Sequence, residues 1–325
     1  KEPAESYLNF PAVMSAAVIS NADAIHPGYG FLSENPQFAD VCEEHEIKFI
    51  GPSSEILKLA GDKIKAKKIA KEVGIPILPG PTDPVSTERE IEKAIEAIDF
   101  PLMVKAAQGG GGRGIRIINS EEEMMHSLKT SKEEAKASFD NDSVYIEKYL
   151  ADTKHIEVQI IADERGNVAD LGERECTIQR RHQKLIEETP STFLSDKTRS
   201  KLLEDAKKLA KRLDYTSLGT VEFLVDKEEN HYFIELNARL QVEHPITEEI
   251  YDMNLIKKQI QLAMGDELRE DGFRAPYGHA IECRINAEDP DHGFTPSPGK
   301  IHIVQLPGGN GVRLDTGLKN EQIIL

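Results

Sequence analysis

A mixed α/β fold, passing to α+β in its larger part, is the fold class that the sequence predicts. Three features predict it. Helical and strand patterns alternate over residues 1–77, the order that builds a parallel sheet flanked by helices. A proline- and glycine-rich run at 74–86 then marks a first domain boundary. Beyond residue 150, strand patterns follow one another through short polar turns, as antiparallel hairpins do.

In chain order, residues 9–20 place Ala, Val and Met at helical spacing, and Ala24-Ile25 reads as a buried strand running into His26-Pro-Gly-Tyr-Gly-Phe-Leu-Ser-Glu-Asn35. Residues 35–45 form a helix and 48–50 a strand. Residues 54–73 read as one helix with a basic face (Lys58, Lys63, Lys65, Lys67, Lys68, Lys71), the usual form of a solvated helix surface. Thr87-x-x-Glu90 fits a capping box at the start of the next helix. Strands at 101–106 and 115–118 flank Gln108-Gly-Gly-Gly-Gly-Arg-Gly114. Because a strand follows these glycines, the dinucleotide fingerprint, which needs a helix there, is excluded; no Gly-Lys-Ser/Thr closes a P-loop either. What remains is a glycine-rich hairpin tip whose backbone amides can close over phosphates. Lys105, at the end of the entering strand, is placed to meet a phosphate as a point charge. Residues 121–137 form a helix and 143–147 a strand.

Residues 155–161 and 167–175 read as antiparallel strands, followed by the densest basic stretch, with Arg180, Arg181, His182 and Lys184. Such a concentration in a chain of net charge −17 suggests a local anion site. An amphipathic helix covers 196–213, and strands cover 219–225 and 233–245. With a period of two, Glu235, Asn237, Arg239, Gln241 and Glu243 share one face of the last strand. Pairing Asp226 with His231 across the turn sets Glu222 opposite Glu235. Two like charges so opposed destabilise a hairpin unless something bridges them, and carboxylates beside an amide oxygen suit a hard divalent cation such as Mg²⁺. A helix over 248–264, an alternating strand over 280–287 and a strand over 300–305 complete the pattern.

The chain has 325 residues, with 40 Lys+Arg against 57 Asp+Glu. That length suggests about two or three domains. The acidic balance argues against nucleic acid as a partner, since no global basic field attracts phosphates. Cys42, Cys176 and Cys283 form no CxxC and read as reduced thiols of a cytosolic protein. No apolar run is long enough to suggest a membrane helix. The chain lacks an initiator Met and stops without a polar closing segment, so it reads as truncated at both ends.

Several motifs in fixed order then carry a resemblance. They are the 26–35 loop, Gly61-Asp-Lys63, Lys105 with Gly109-Gly-Gly-Gly-Arg-Gly114, and Glu147-Lys-Tyr-Leu150. Gln179-Arg-Arg-His-Gln-Lys184, Glu235-x-Asn-x-Arg-x-Gln-Val-Glu-His-Pro245 and Glu282-Cys-Arg-Ile-Asn-Ala-Glu-Asp289 follow. Together they resemble the biotin carboxylase component of biotin-dependent carboxylases, an ATP-grasp fold, over nearly the whole chain. The resemblance implies a partial N-terminal α/β domain over 1–77, a mobile lid over 78–150, and a mixed-sheet catalytic domain over 151–325 whose C-terminal part is incomplete.

It also implies site roles. Lys63 and Lys105 would hold ATP phosphates under a lid loop with Gly111 and Gly112, and Glu147, Lys148 and Leu150 would frame the adenine. His155, Gln179 and His182 would line the nucleotide side. Glu222 and Glu235, with Asn237, would bind Mg²⁺ or Mn²⁺, two ions being expected. Lys184, Arg239, Gln241 and Val242 would hold bicarbonate, Glu243 would deprotonate it, and Arg284 would stabilise the biotin enolate. The implied partners are a biotin carboxyl carrier protein or domain, a carboxyltransferase subunit and a second copy in a homodimer, in the cytoplasm, with no nucleic acid or membrane. Two other readings compete. Another ATP-grasp ligase, making an acyl- or carbamoyl-phosphate, is opposed by Arg284 and the Arg-Arg-His-Gln-Lys run. A regulatory nucleotide-binding module is opposed by the intact acidic and bicarbonate sets.

Overall fold

In the computed structural model of the chain, the described residues are 2–324 except 82, 86, 97, 107–115, 125–126, 129, 133–143 and 270–271. They fall into two compact units, Lys1–Glu282 and Cys283–Leu325.

The first unit opens with α1 (Phe10–Ile19), β1 (Ala24–Ile25), α2 (Pro36–Glu44), β2 (Lys48–Phe49), α3 (Ser54–Gly61) and α4 (Lys63–Glu72). β1 and β2 pair in parallel, as the alternation of elements requires. Asn9, Asn35, Ser53 and Asp62 each cap a helix by accepting N–H groups of its first turn. The single helix expected over 54–73 is therefore two. Asp62 leaves the helical region at φ −93° and ψ 91°. Its carboxylate takes the N–H groups of Ile64 and Lys65 at 3.2 and 3.1 Å. The break makes Lys63 the first residue of α4.

Next, β3 (Leu102–Ala106) pairs antiparallel with both β4 (Arg116–Ile118) and β5 (Val144–Lys148). α5 (Glu88–Glu96) opens on the expected capping box. The Thr87 N–H donates to the Glu90 carboxylate at 3.0 Å, and the Glu90 N–H to the Thr87 hydroxyl at 3.3 Å. Ile91, Leu102, Val104, Ile118, Val144 and Ile146 give this segment a core of its own. Gly111 and Gly112 lie outside the described residues, as does the side chain of Lys105, whose backbone pairs with Tyr145.

The largest sheet uses β6 (Lys154–Ala162), β7 (Val168–Arg180), β8 (Gln183–Thr189), β9 (Ser217–Val225), β10 (His231–Asn237) and β11 (Ala280–Cys283), in the order β10-β9-β6-β7-β8-β11. Alternation splits each strand between two faces. Ile156, Val158, Ile160, Val221, Phe223 and Val225 share a core with Leu202, Ala206 and Leu209 of α6 (Asp196–Arg212) and with the N-terminal helices. The other parity of β6 and β9 carries His155, Glu157, Gln159, Thr220 and Glu222. Towards one end of that face, Ile161 and Leu218 pack with residues of α7 (His244–Tyr251) and α8 (Leu255–Ala263).

The 233–245 strand differs from expectation. β10 stops at Asn237, the chain turns, and α7 begins at His244 with Pro245 in its first turn, where a missing N–H costs nothing. The hairpin register differs too. Val225, not Asp226, pairs with His231, and a bulge between Phe233 and Glu235 inserts the residue that restores Glu222 opposite Glu235. The bulge lets Phe233 and Leu236 enter one core despite their odd spacing. The helix expected over 248–264 is also two. Asp252 turns left-handed at φ 50° and ends α7, and the Asn254 side chain accepts the Lys257 N–H at 2.7 Å to start α8.

In the second unit, Glu288–Asp289 pairs with Thr295–Pro296, and Gly299–Lys300 with Ile323–Ile324. The strands expected over 280–287 and 300–305 shrink to β11 and Gly299–Lys300. Alternation can mark a strand but cannot supply the neighbour that completes its hydrogen bonds.

Candidate active site

One row of paired residues crosses the polar face of the large sheet. Arg174 on β7 pairs with Glu157 on β6, Glu157 with Glu222 on β9, and Glu222 with Glu235 on β10. Three carboxylates set side by side repel one another across strands. Cations brought in from other elements offset that repulsion. Lys184 Nζ, from β8, lies 2.9 Å from Glu222 Oε1 and 2.7 Å from Glu243 Oε1, and also bonds Glu157. Lys63 Nζ, from the start of α4, lies 2.7 Å from Glu235 Oε2. His155 Nε2 lies 2.8 Å from Glu222 Oε2, and Gln179 donates to His155 Nδ1 at 3.0 Å.

These contacts set the charge states. Burial by itself would lower the Lys184 pKa, but Glu157 and Glu222 outweigh it and hold the ammonium well above its ordinary value. Burial would raise Glu222, but Lys184 and His155 outweigh it and hold the carboxyl well below the usual range. Both groups stay charged near neutral pH. Cys176 lies beside Glu157 and Glu243; burial first, then Glu157, pushes its thiol well above the ordinary value, so it is no thiolate nucleophile.

The turn after β10 completes the cluster. Asn237 Nδ2 and Gln241 Nε2 both donate to Glu222 Oε1, at 2.8 and 2.9 Å. Arg239 donates to Asn237 Oδ1 at 3.2 Å, to the Leu240 carbonyl at 3.2 Å, and through Nε to Glu34 Oε2 at 2.8 Å. Glu34 belongs to the Gly-Tyr-Gly loop, whose His26 Nε2 is held 2.9 Å from Gln259 Oε1 of α8.

Not every expected residue joins this cluster. Glu147 forms a buried ion pair with Lys67 of α4, and Leu150 is half-buried just beyond β5. The Lys148 ammonium donates to the carbonyls of Asp99 and Phe100 at 2.9 Å each, so its side chain braces that loop. His182 is exposed in the two-residue tip between β7 and β8, where Arg181 and His182 both take positive φ, 52° and 62°. Such a tip matches strand twist but strains residues with a Cβ. Val242 is half-buried in the turn, and Arg284 lies in the second unit. Glu157, Arg174, Lys67 and Glu34 were not singled out from sequence. Lys67 stood there only within a basic helix face and Glu34 only inside the 26–35 motif, while Glu157 shows in the alternation His155-x-Glu157-x-Gln159.

The opposed Glu222 and Glu235 carboxylates are hard oxygen donors of the kind that Mg²⁺ takes, while the Asn237 amide turns its NH₂ to Glu222 and its oxygen to Arg239.

Comparison with known proteins agrees with this geometry. Family models match in three stretches: "Biotin carboxylase, N-terminal domain" over 1–57, "Carbamoyl-phosphate synthase L chain, ATP binding domain" over 62–271, and "Biotin carboxylase C-terminal domain" over 282–324. The biotin carboxylase of Nostoc sp. is 50% identical over 96% of this chain and 70% of its own length. The chain belongs to the biotin carboxylase family. The biotin carboxylase of Campylobacter jejuni, solved as a β-γ-ATP complex, superposes with a TM-score of 0.94 at 45% identity, over 100% of this chain and 72% of that one. The biotin carboxylase domain dimer of Hydrogenobacter thermophilus 2-oxoglutarate carboxylase, solved with MgADP, ADP and bicarbonate, gives 0.92 at 44% identity, over 98% and 71%. Pyruvate carboxylase of Bacillus subtilis is 48% identical, but the chain spans only 28% of it. As a biotin carboxylase of ATP-grasp fold, the chain is a ligase for the ATP- and bicarbonate-dependent carboxylation of biotin. Among the described residues no helix is long and apolar enough to cross a membrane.

Proposed function

We propose that the carboxylate row and its cations form the centre where bicarbonate is activated and handed to biotin on a carrier protein. The observation that carries this reading is Lys184, a largely shielded ammonium on β8 shared by Glu157 of β6, Glu222 of β9 and Glu243 of the turn before α7. In this reading Lys63 and Lys105 hold the ATP phosphates, the lid loop with Gly111 and Gly112 covers them, and the backbone around Glu147, Lys148 and Leu150 frames the adenine. His155, Gln179 and His182 line the nucleotide side. Glu222, Glu235 and Asn237 would hold Mg²⁺ or Mn²⁺, which when bound neutralises charge on the phosphates.

Lys184, Arg239, Gln241 and Val242 position bicarbonate, and Glu243 takes its proton. A bicarbonate oxygen attacks the γ-phosphorus, ADP leaves, and carboxyphosphate forms. Carboxyphosphate breaks into CO₂ and phosphate. The phosphate takes the N1 proton of the biotin ureido group, Arg284 stabilises the resulting enolate, and N1 bonds to the CO₂ carbon. A fixed cationic pocket favours each developing anion without reorganising. The separate core of the 85–146 segment supports reading 78–150 as the lid between a 1–77 domain and a 151–325 catalytic domain.

The proposed partners are a biotin carboxyl carrier protein or domain, a carboxyltransferase subunit and a second copy of the chain, in the cytoplasm. The test is ATP hydrolysis by the natural full-length protein. Hydrolysis should require bicarbonate and rise when free biotin is added; hydrolysis indifferent to biotin sinks the proposal.

A further inference from the structure

Arg174 is the largest fully buried side chain among the described residues, at 0% exposure, and it stands on β7 at the end of the carboxylate row. A guanidinium has five N–H donors and no acceptor. All five are used. Nε donates to Glu157 Oε1 at 2.5 Å. Nη1 donates to Gln159 Oε1 at 2.8 Å and to the Thr247 hydroxyl at 2.9 Å. Nη2 donates to the Thr220 hydroxyl at 3.3 Å and to Gln241 Oε1 at 3.2 Å. With no donor left, Arg174 cannot also bind substrate.

We infer that Arg174 is a positioning residue that fixes the polarity of the Gln241 amide and the pose of Glu157, and through them the bicarbonate pocket. Its reasoning is one of donors and acceptors. Only the carbonyl oxygen of Gln241 can face a guanidinium, so the amide must turn its NH₂ the other way. That NH₂ donates to Glu222 Oε1 at 2.9 Å, which places a donor on the side proposed above for bicarbonate. On the other flank, Glu157 gives Oε1 to Arg174 and Oε2 to Lys184. One guanidinium therefore sets the orientation of two groups that converge on the same pocket. A lysine would keep the charge but not the planar fork that reaches acceptors on β6, β9, the turn after β10 and α7.

The inference rests on the proposed bicarbonate role of Gln241, and the test separates the two. Bicarbonate and ATP KM are measured by bicarbonate-dependent ATP hydrolysis in the natural full-length protein. Gln241→Ala comes first: it should raise bicarbonate KM about tenfold, and no change overturns the site reading itself. Arg174→Lys should also raise bicarbonate KM about tenfold while ATP KM stays within about twofold. In the Gln241→Ala background, Arg174→Lys should raise bicarbonate KM by clearly less than it does alone, because only the route through Glu157 remains. Parallel rises in both KM values, or effects that multiply in the double variant, overturn the positioning role. Gln241→Glu covers the case in which Arg174→Lys fails to fold. It keeps an oxygen towards Arg174 but replaces the outward donor with an acceptor, so bicarbonate KM should rise at least tenfold; an unchanged KM overturns the assigned polarity.

Discussion

Lys184 has three carboxylate partners and is itself mostly shielded from water, so its removal leaves Glu157, Glu222 and Glu243 buried around a missing cation. Breaking a buried ion pair from one side costs roughly 3–5 kcal/mol, because the charge left behind keeps its desolvation penalty. Lys184→Met should therefore lower the unfolding free energy by about that amount and cut bicarbonate-dependent ATP hydrolysis at least a hundredfold. Denaturant unfolding and steady-state kinetics check the two effects. Glu34 sits at the opposite extreme. Its ion pair with Arg239 is on the rim, with side chains 43% and 22% exposed, where such pairs contribute about 0–1 kcal/mol. Glu34→Gln should leave the melting temperature within a degree or two of wild type while shifting bicarbonate KM a few-fold, since Arg239 loses the partner on its Nε edge. A large fall in melting temperature would show that Glu34 supports the fold instead.

At the scale of elements, the breaks in helices matter as much as the helices. Asp62 ends α3 and caps α4, and so delivers Lys63 to Glu235. Asp62→Ala should cost about 1 kcal/mol of stability, as cap removal does, and should raise ATP KM because Lys63 loses its fixed start position. α6 is tied to β10 by a different device. Asp205, with 0% exposure, lies 2.8 Å from His231 Nε2 and 3.0 Å from Lys201 Nζ. Burial would raise its carboxyl, but His231 and Lys201 outweigh it and hold the pKa below the ordinary 3.8. A depressed native pKa stabilises the fold above the unfolded value, and that stability fades as pH falls through the native one. Asp205→Asn should therefore be less stable than wild type near neutral pH, and the gap should narrow as pH falls below the ordinary 3.8. Unfolding curves from pH 7 down to about 2 test this; a constant gap would contradict it.

For the whole molecule, the proposed function draws on the N-terminal layer, the 85–146 segment and the large sheet together. Arg284 lies in the second unit, and its proposed task concerns biotin alone. Arg284→Ala should lower biotin carboxylation at least tenfold with little change in ATP affinity; an equal loss in both would contradict that role. Chelation should abolish ATP hydrolysis, and Mg²⁺ or Mn²⁺ should restore it, as the hard donor set requires.

Much of this was legible in the sequence by itself. Periodicity and turn residues located β6, β9 and α6 nearly to their ends, and the start but not the end of β7, and Thr87-x-x-Glu90 announced its cap, because these depend on contacts only a few residues apart. The ordered motifs, from the Gly-Tyr-Gly loop to Glu282-Cys-Arg, identified the family. The opposed pair of Glu222 and Glu235 was also readable, although the structure reaches it through a bulge that compensates a one-residue shift in the turn. Tertiary structure alone decided the rest. Glu157 meets Glu222 across strands 65 residues apart in sequence (222 less 157), and no local pattern encodes that neighbour. Arg174 was not singled out in the sequence; only the closed sheet buries it and, with the neighbouring turn and helix, supplies acceptors for all five donors. The polar stretch 233–245, read as one strand edge, proved to be a strand, a turn and a helix start wrapped around Glu222 and Lys184. The residue types declared which chemistry was possible. Non-local pairing decided which charges share a site, because the energy of a buried charge depends on its neighbours in space.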